Sequence, residues 1–467
     1  MKKRGVCDTI TRTHDAVIIL PIVGADARIG PNTCRRDLYV PSDRSINVTP
    51  RGDVGIAPYA MNHNLNRKPC FRKRGTAMKA GILTLYHENR NPGGQLQARA
   101  LVRAIEAVPG WQAEQLPFAY SGSWMRKSFP ERVLKNIAYS GAKKLRGGNT
   151  PAASEIPEEL RQALVRRGEA YDTFAAGTPH NTAVFTPETI GQSLTDYDCF
   201  ICGSDQIWNE FGTGYYYCAL DAMSLGFVPE TIQKFSYAPS MPNHALNPKF
   251  LKKLGANAAR LDGLSLREKS SVADLQKVCG RKAQVVADPV LLLTAEQWDR
   301  EIRVPGENRY VLCYLLGAGQ KTREAAKKAA GNLGLPLVTL PHLAGVRQED
   351  MDFGDEQMID CGPAEFVGLI RDADMVITDS FHAAVFSMIY HRPCAVLPRF
   401  SQSGGTTMGS RLTDFLTEYA LLGQRFTPES LGILHGLPEM DFSLADAVWE
   451  KRRAESLDYL KANLRKK

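Results

Sequence analysis

The chain has 467 residues, with 58 Lys and Arg against 50 Asp and Glu, 43% hydrophobic residues, 39 Gly and 27 Pro. This is an ordinary globular composition that excludes a collagen-like, coiled-coil or wholly disordered chain. The basic excess sits entirely in residues 1–77, which carry 14 basic and 6 acidic residues, whereas residues 78–467 carry 44 of each. The pI near 8.9 therefore describes a leader and not the body, and gives no reason to expect nucleic acid as a partner.

The leader shows no helical or alternating periodicity apart from an apolar patch at 16–23, interrupted by Pro21. A secretory signal would fit the basic start and Ala25-Asp26-Ala27, but Asp8 and Asp15 spoil it. A nucleic-acid arm would need more stacking residues than Tyr39, Tyr59 and Phe71. The expectation is a disordered leader, or one outside the native fold, with Met78 as the natural start. No stretch has the roughly 18 apolar residues of a membrane span. The ten cysteines are too dilute for a disulfide scaffold, and Cys199-x-x-Cys202 lacks partners for a zinc site. These features predict structural thiols, no metal, and a cytoplasmic setting.

From Met78 onward a regular pattern begins. A strand over 81–86 leads through the glycine loop Asn91-Pro92-Gly93-Gly94 into a helix marked by Leu96, Leu101, Ile105 and Val108. Helices are expected over 131–144 and 157–171, a strand over 198–202, and strands over 235–238, 261–266 and 283–286, with helices over 248–259 and 270–278 between them. Asp288-Pro289 breaks the rhythm, and the domain boundary is placed at 298–308. A second series follows, with strands over 310–315, 337–340, 374–378 and 394–397 and helices over 322–333, 364–372, 382–390 and 411–422. Strands alternating with helices in both halves predict an α/β fold of two Rossmann-like domains facing across a cleft, 78–300 and 301–467. Ligands bind such domains beyond the carboxyl ends of their strands.

Four places there carry chemistry. The loop Asn91 to Gly94, followed by Gln97, is either a ligand loop or a tight turn between strand and helix. The segment Ser204-Asp205-Gln206-Ile207-Trp208 brings a carboxylate, an amide and an indole to one strand end. Asp205 could serve as a base towards a sugar hydroxyl and Trp208 could stack on a sugar face, or Ser204 and Asp205 could simply cap a turn. Arg267 ends a strand, where its planar fork suits a carboxylate or phosphate; the competing reading is a surface charge pair with Glu268. Asp379-Ser380-Phe381-His382 joins a strand to a helix. It sets Ser380 and helix amides where an anion would bind, beside a histidine able to move a proton. Arg411, at another helix start, either adds charge to the same cleft or lies on the surface.

The stretches 81–97, 203–209, 236–240, 265–270, 288–292, 378–386 and 410–412, in this order, resemble the polysaccharide pyruvyl transferase family over about residues 78–425. The resemblance implies a GT-B-like pair of Rossmann domains. It also implies transfer of the enolpyruvyl group of phosphoenolpyruvate to a saccharide as a pyruvate ketal, without a metal or other cofactor. The family's donor-binding arginine and histidine fall on Arg267 and His382, with Ser380 and Arg411 assisting. The acceptor would meet Asn91, Gly93, Gln97, Gln206 and Trp208, and Asp205 would be its base. The chain has Asp379 where the family often has asparagine, so this carboxylate must face away from an anionic donor. The acceptor is a saccharide, with lipid linkage left open and at most a peripheral membrane association. A GT-B glycosyltransferase using a nucleotide sugar and a non-catalytic saccharide-binding relative are the alternatives.

Overall fold

Strand β1 (Met78–Leu83) is the centre from which the first sheet is built. Its last four residues are fully buried, as befits a strand covered on both faces. The computed structural model describes residues 77–119, 157–209, 216–241, 246–302, 309–317, 319–341, 348–399 and 408–465. The leader up to residue 76 and the helix expected over 131–144 lie outside them. After β1 comes α1 (Pro92–Glu106), which starts where Asn91 Oδ1 accepts the Gly93 N–H at 2.9 Å and Pro92 fixes the first helical φ. Next are β2 (Trp111–Gln115), α2 (Glu158–Ala176), β3 (Cys199–Cys202), α3 (Tyr216–Met223) and β4 (Gln233–Ser236). The four strands are all parallel, in the order β2-β1-β3-β4.

The chain continues through α4 (Pro248–Ala259), β5 (Ser265–Leu266), α5 (Val272–Cys279), β6 (Gln284–Val285) and α6 (Ala295–Asp299). β5 and β6 form a separate two-stranded parallel sheet beside β4, linked to it by an isolated bridge between Phe235 and Gly263. The joint is sealed by serines: Ser236 Oγ donates to Ser265 O at 3.0 Å and Ser265 Oγ to Ser236 O at 2.7 Å.

The second sheet begins with β7 (Val311–Tyr314), then α7 (Gln320–Leu333), β8 (Leu337–Thr339), β9 (Glu356–Gln357), α8 (Pro363–Asp372), β10 (Met375–Thr378), α9 (Phe381–Ile389) and β11 (Cys394–Val396). It too is wholly parallel, in the order β11-β10-β7-β8-β9. The chain ends with α10 (Met408–Glu418), α11 (Pro428–Gly432) and α12 (Ser443–Asn463). The fold is the expected α/β class, with two larger parallel sheets and the short β5–β6 pair. Among the described residues, no helix is long and apolar enough to cross a membrane.

Some elements differ from the sequence expectation. The first strand begins and ends three residues early, because the chain already turns at Thr84, whose carbonyl accepts the Tyr86 N–H, and Tyr86 reaches across to the Ala175 carbonyl at 2.6 Å. β2 and α3 were not foreseen: β2 buries only alternate residues, and α3 is short. Cys199 and Cys202 are buried in β3, and burial pushes the Cys202 thiol well above its ordinary pKa.

Two helices cross between the series. α2 precedes most of the first sheet in sequence, yet Arg167 donates from it to the Ile359 carbonyl, and Ala170 packs against Gly362. α12 returns from the end of the second series to the first sheet. Tyr459 Oη donates to Ser236 O at 2.9 Å, Ser456 Oγ accepts from Ala287 N at 2.9 Å, and Leu460 joins the core formed by Ala80 and Ile82. Leu460→Ala should therefore lower unfolding free energy by about 2–5 kcal/mol, the range for a buried leucine truncation. Denaturant unfolding measures it, and a change under about 0.5 kcal/mol, typical of surface sites, would rule out this docking.

Candidate active site

The strand ends of both sheets meet at one buried cluster of charges. Asp288, just past β6, is its centre. Oδ1 accepts the Val290 N–H at 3.1 Å; Oδ2 accepts Arg267 Nη1 at 2.6 Å and Ser204 Oγ at 3.4 Å, and lies 3.7 Å from His382 Nε2. Asp288 is 1% exposed. Burial works against its ionisation, but His382, Arg267 and the Val290 N–H together hold its carboxyl well below the usual range.

Arg267 follows β5 and is held on three sides. Nε donates to Glu268 Oε1 at 2.9 Å, Nη1 to Asp288, and the guanidinium lies 4.4 Å from the centre of the Phe381 ring. Glu268 is in turn fixed by Ser240 Oγ at 2.7 Å and Met241 N at 3.2 Å. Nη2 is buried and has no hydrogen-bond partner. Burial disfavours the charge, yet Glu268, Asp288 and Asp205 more than reverse this, and the pKa lies above the ordinary arginine value. The surface-pair reading of Arg267 and Glu268 is thus corrected: both are buried and both are part of the cluster.

His382 opens α9, which points its N-terminus at the same place. Its ring is buried, and Nε2 has no hydrogen-bond partner. A Cβ on Gly93 would lie 2.0 Å from Nδ1, so the glycine at this position is required by close approach of the imidazole. Ser380 occupies the N-cap position with its N–H donated to Thr378 Oγ1 at 3.0 Å, and its hydroxyl makes no capping bond. The Asp379 carboxylate accepts the Leu316 and Gly317 amides at 2.7 and 2.8 Å.

Asp205 follows β3 with φ 63°, a strained conformation for a residue other than glycine. Its carbonyl accepts the Ile207 and Ser240 amides, both at 2.8 Å, and its carboxylate acts electrostatically on both Arg267 and Arg411. Arg411, in the first turn of α10, is buried rather than on the surface. Burial first, and then the charge of Arg267, lower its pKa to about 10, so it remains a cation at neutral pH. Gln206, in the amide orientation that satisfies its neighbours, presents its oxygen to Arg411 Nη1 and Nη2 at 3.2 and 3.0 Å.

The expected acceptor residues separate. Asn91 is exposed at the helix cap and Gly93 lies against His382. Gln97 is fully buried, and its Oε1 has no hydrogen-bond partner. Its Nε2 donates to Thr84 Oγ1 at 3.0 Å, and Thr84 donates to Ser204 O at 2.8 Å, so Gln97 braces the strand end from within. Trp208 is no stacking platform: it is 0% exposed in the core, and its Nε1 donates to Met223 O at 3.1 Å. The apolar face of an indole next to Ile207 gains more from the core than from a sugar. Sequence reasoning missed Asp288, Ser204, Glu268 and Phe381 as site residues. The signal for Asp288 was an aspartate soon after a strand and directly before Pro289, where it caps the following turn.

The model of the family "polysaccharide pyruvyl transferase" matches residues 91–399, from the cap of α1 to the loop after β11. The chain belongs to this family and is a transferase. No curated protein matches it. Among solved structures, the UDP-GlcNAc 2-epimerase of Methanocaldococcus jannaschii has 10% identity and a TM-score of 0.44 over 80% of this chain and 99% of that one. The UDP-GlcNAc 2-epimerase of Neisseria meningitidis has 12% identity and a TM-score of 0.37 over 81% and 99%. UGT89C1 of Arabidopsis thaliana has 13% and 0.36 over 83% and 93%.

Two outcomes check this site. Trp208→Ala should cost about 3–5 kcal/mol of stability, as for a buried tryptophan; an unchanged unfolding curve would return Trp208 to the cleft. The stability contributed by ionised Asp288 is complete above the ordinary aspartate value of about 4 and lost as pH falls through its lower folded-state value. Asp288→Asn should therefore lose less stability than the native protein between about pH 5 and pH 2, and equal losses by denaturant titration at each pH would contradict the assignment.

Proposed function

We propose that the protein transfers the enolpyruvyl group of phosphoenolpyruvate to two hydroxyls of a saccharide, forming a pyruvate ketal and releasing phosphate. The observation that carries this reading is Arg267: a buried guanidinium fixed by two carboxylates and an aromatic face, with Nη2 left without a partner. A group so placed is pre-organised for an anion and costs little to bind one. Arg411 supplies a second buried cation, and the start of α9 with Ser380 supplies helix-terminal polarity. A carboxylate and a phosphate on one small donor need this set.

The positions of these groups support the following chemistry. A proton passes from His382 to C3 of the donor, making a methyl group and leaving C2 electron-poor. One sugar hydroxyl oxygen bonds to C2, and its proton is taken by Asp205, which sits among the cations that would hold the donor. The bond from C2 to the phosphate oxygen breaks, and phosphate leaves on the side of Arg411 with the proton that Asp205 took; the second hydroxyl closes the ketal and its proton restores His382. Phosphoenolpyruvate as donor fits a cytoplasmic reaction. The acceptor is a saccharide of polysaccharide biosynthesis.

A nucleotide-sugar donor is disfavoured by Asp379. Its carboxylate occupies the Leu316 and Gly317 amides after β7, the first-loop amides that a diphosphate takes in a Rossmann-like half. Calorimetric titration of the full chain with phosphoenolpyruvate tests the reading. Arg267→Ala should weaken binding by about 2–5 kcal/mol, the cost of truncating one partner in a buried charge pair. A loss below about 0.5 kcal/mol, the worth of an exposed charge, would remove Arg267 from the donor site, and binding of a nucleotide sugar instead would overturn the donor.

A further inference from the structure

We infer that Asp288 is the positioning residue of His382: it faces Nε2–H and so makes Nδ1 the nitrogen that hands over the proton. That the proton goes to a donor carbon rests on the reading above; the choice of nitrogen does not.

The imidazole has two nitrogens, and the fold treats them differently. Nε2 is buried, has no hydrogen bond, and lies 3.7 Å from Asp288 Oδ2. A ring N–H aimed at a buried carboxylate is attracted, whereas a lone pair aimed at it is repelled, so the neutral ring carries its proton on Nε2. Oδ2 cannot swing away, because Arg267 Nη1 holds it at 2.6 Å while the Val290 N–H holds Oδ1 at 3.1 Å.

Around Nδ1 the arrangement is the opposite. A Cβ on Gly93 would stand 2.0, 2.4 and 2.6 Å from Nδ1, Cγ and Cε1. A point at such similar distances from three adjacent ring atoms lies over the ring face, not in the plane where the Nδ1 lone pair points. Gly93 therefore supports the face and does not itself block the in-plane approach to Nδ1. Phe381 meets the same ring edge-to-face, with centroids 5.2 Å apart and planes at 90°. The face contact and the carboxylate together fix both the tilt and the tautomer.

Asp288→Asn makes the inference testable. Arg267 Nη1 at 2.6 Å requires an acceptor at the Oδ2 position, so the amide oxygen stays there and the new NH2 group takes the Oδ1 position by the Val290 N–H. Nε2 then faces a neutral oxygen in place of a carboxylate, and the ring proton is no longer confined to Nε2. Removing the partner that orients a functional histidine typically costs about 10–100-fold, and a loss of turnover in that range is expected here.

The decisive measurement is ¹⁵N NMR of histidine side chains in the ligand-free full-length protein at about pH 9, above the ordinary histidine range. The His382 signals are identified by their disappearance in His382→Gln, or by proximity of the ring protons to the Gly93 α-protons if that variant does not fold. The expected result is a protonated Nε2 and a bare Nδ1 in the native protein, and a mixture of both tautomers in Asp288→Asn. A proton on Nδ1 in the native protein, or the same tautomer in both proteins, overturns the inference. Phosphoenolpyruvate calorimetry reports separately: the expected tautomer without donor binding defeats the donor and leaves Asp288 in its role, and the converse result does the reverse.

Discussion

One oxygen atom, Oδ2 of Asp288, is the point on which this site depends. It is shared between an arginine from the first sheet and a histidine from the second, in a place water does not reach. A buried carboxylate is costly unless its partners are well placed, and removing any one partner leaves the rest uncompensated. The cluster is therefore cooperative: Glu268 fixes Arg267, Arg267 fixes Asp288, and Asp288 faces His382. Donor anchoring and proton transfer would then share one electrostatic element.

The rest of the fold brings that element into being. Parallel strands deliver Ser204, Arg267, Asp288 and Asp379 from their carboxyl ends, where a turn into the next element leaves side chains outside the sheet. Gln97 and Thr84 brace the end of β3 from behind. Ser270 Oγ donates to Asp414, one turn along α10 from Arg411, tying the Arg267 loop to the helix that carries the second cation. α2 and α12 each cross to the other series, so the alignment of Asp288 with His382 does not rely on the site residues alone.

Much of this was legible in the sequence. The alternation of strands and helices marks the two parallel sheets, and α4, predicted over 248–259, forms over those residues because Asn247 caps it and Pro248 starts it. Arg267, His382, Arg411 and Asp205 were readable as strand-end or helix-start residues of the right chemistry, and the structure brings them together. Trp208 was misread because a loop's residue order does not say which side of the chain faces the core. Asp288 was passed over because its role depends on partners 21 and 94 positions away.

By itself, the sequence determined the class of fold, the family and the kinds of side chain available, since periodicity and residue type are local properties. Only the tertiary structure decided which of them share a site and in which state. Burial, the 3.7 Å approach of Asp288 to Nε2 and the closeness of Gly93 to the imidazole face are set by how two distant sheets meet. Electrostatic energy depends on distance and on exclusion of water, and neither is written in the order of residues along the chain.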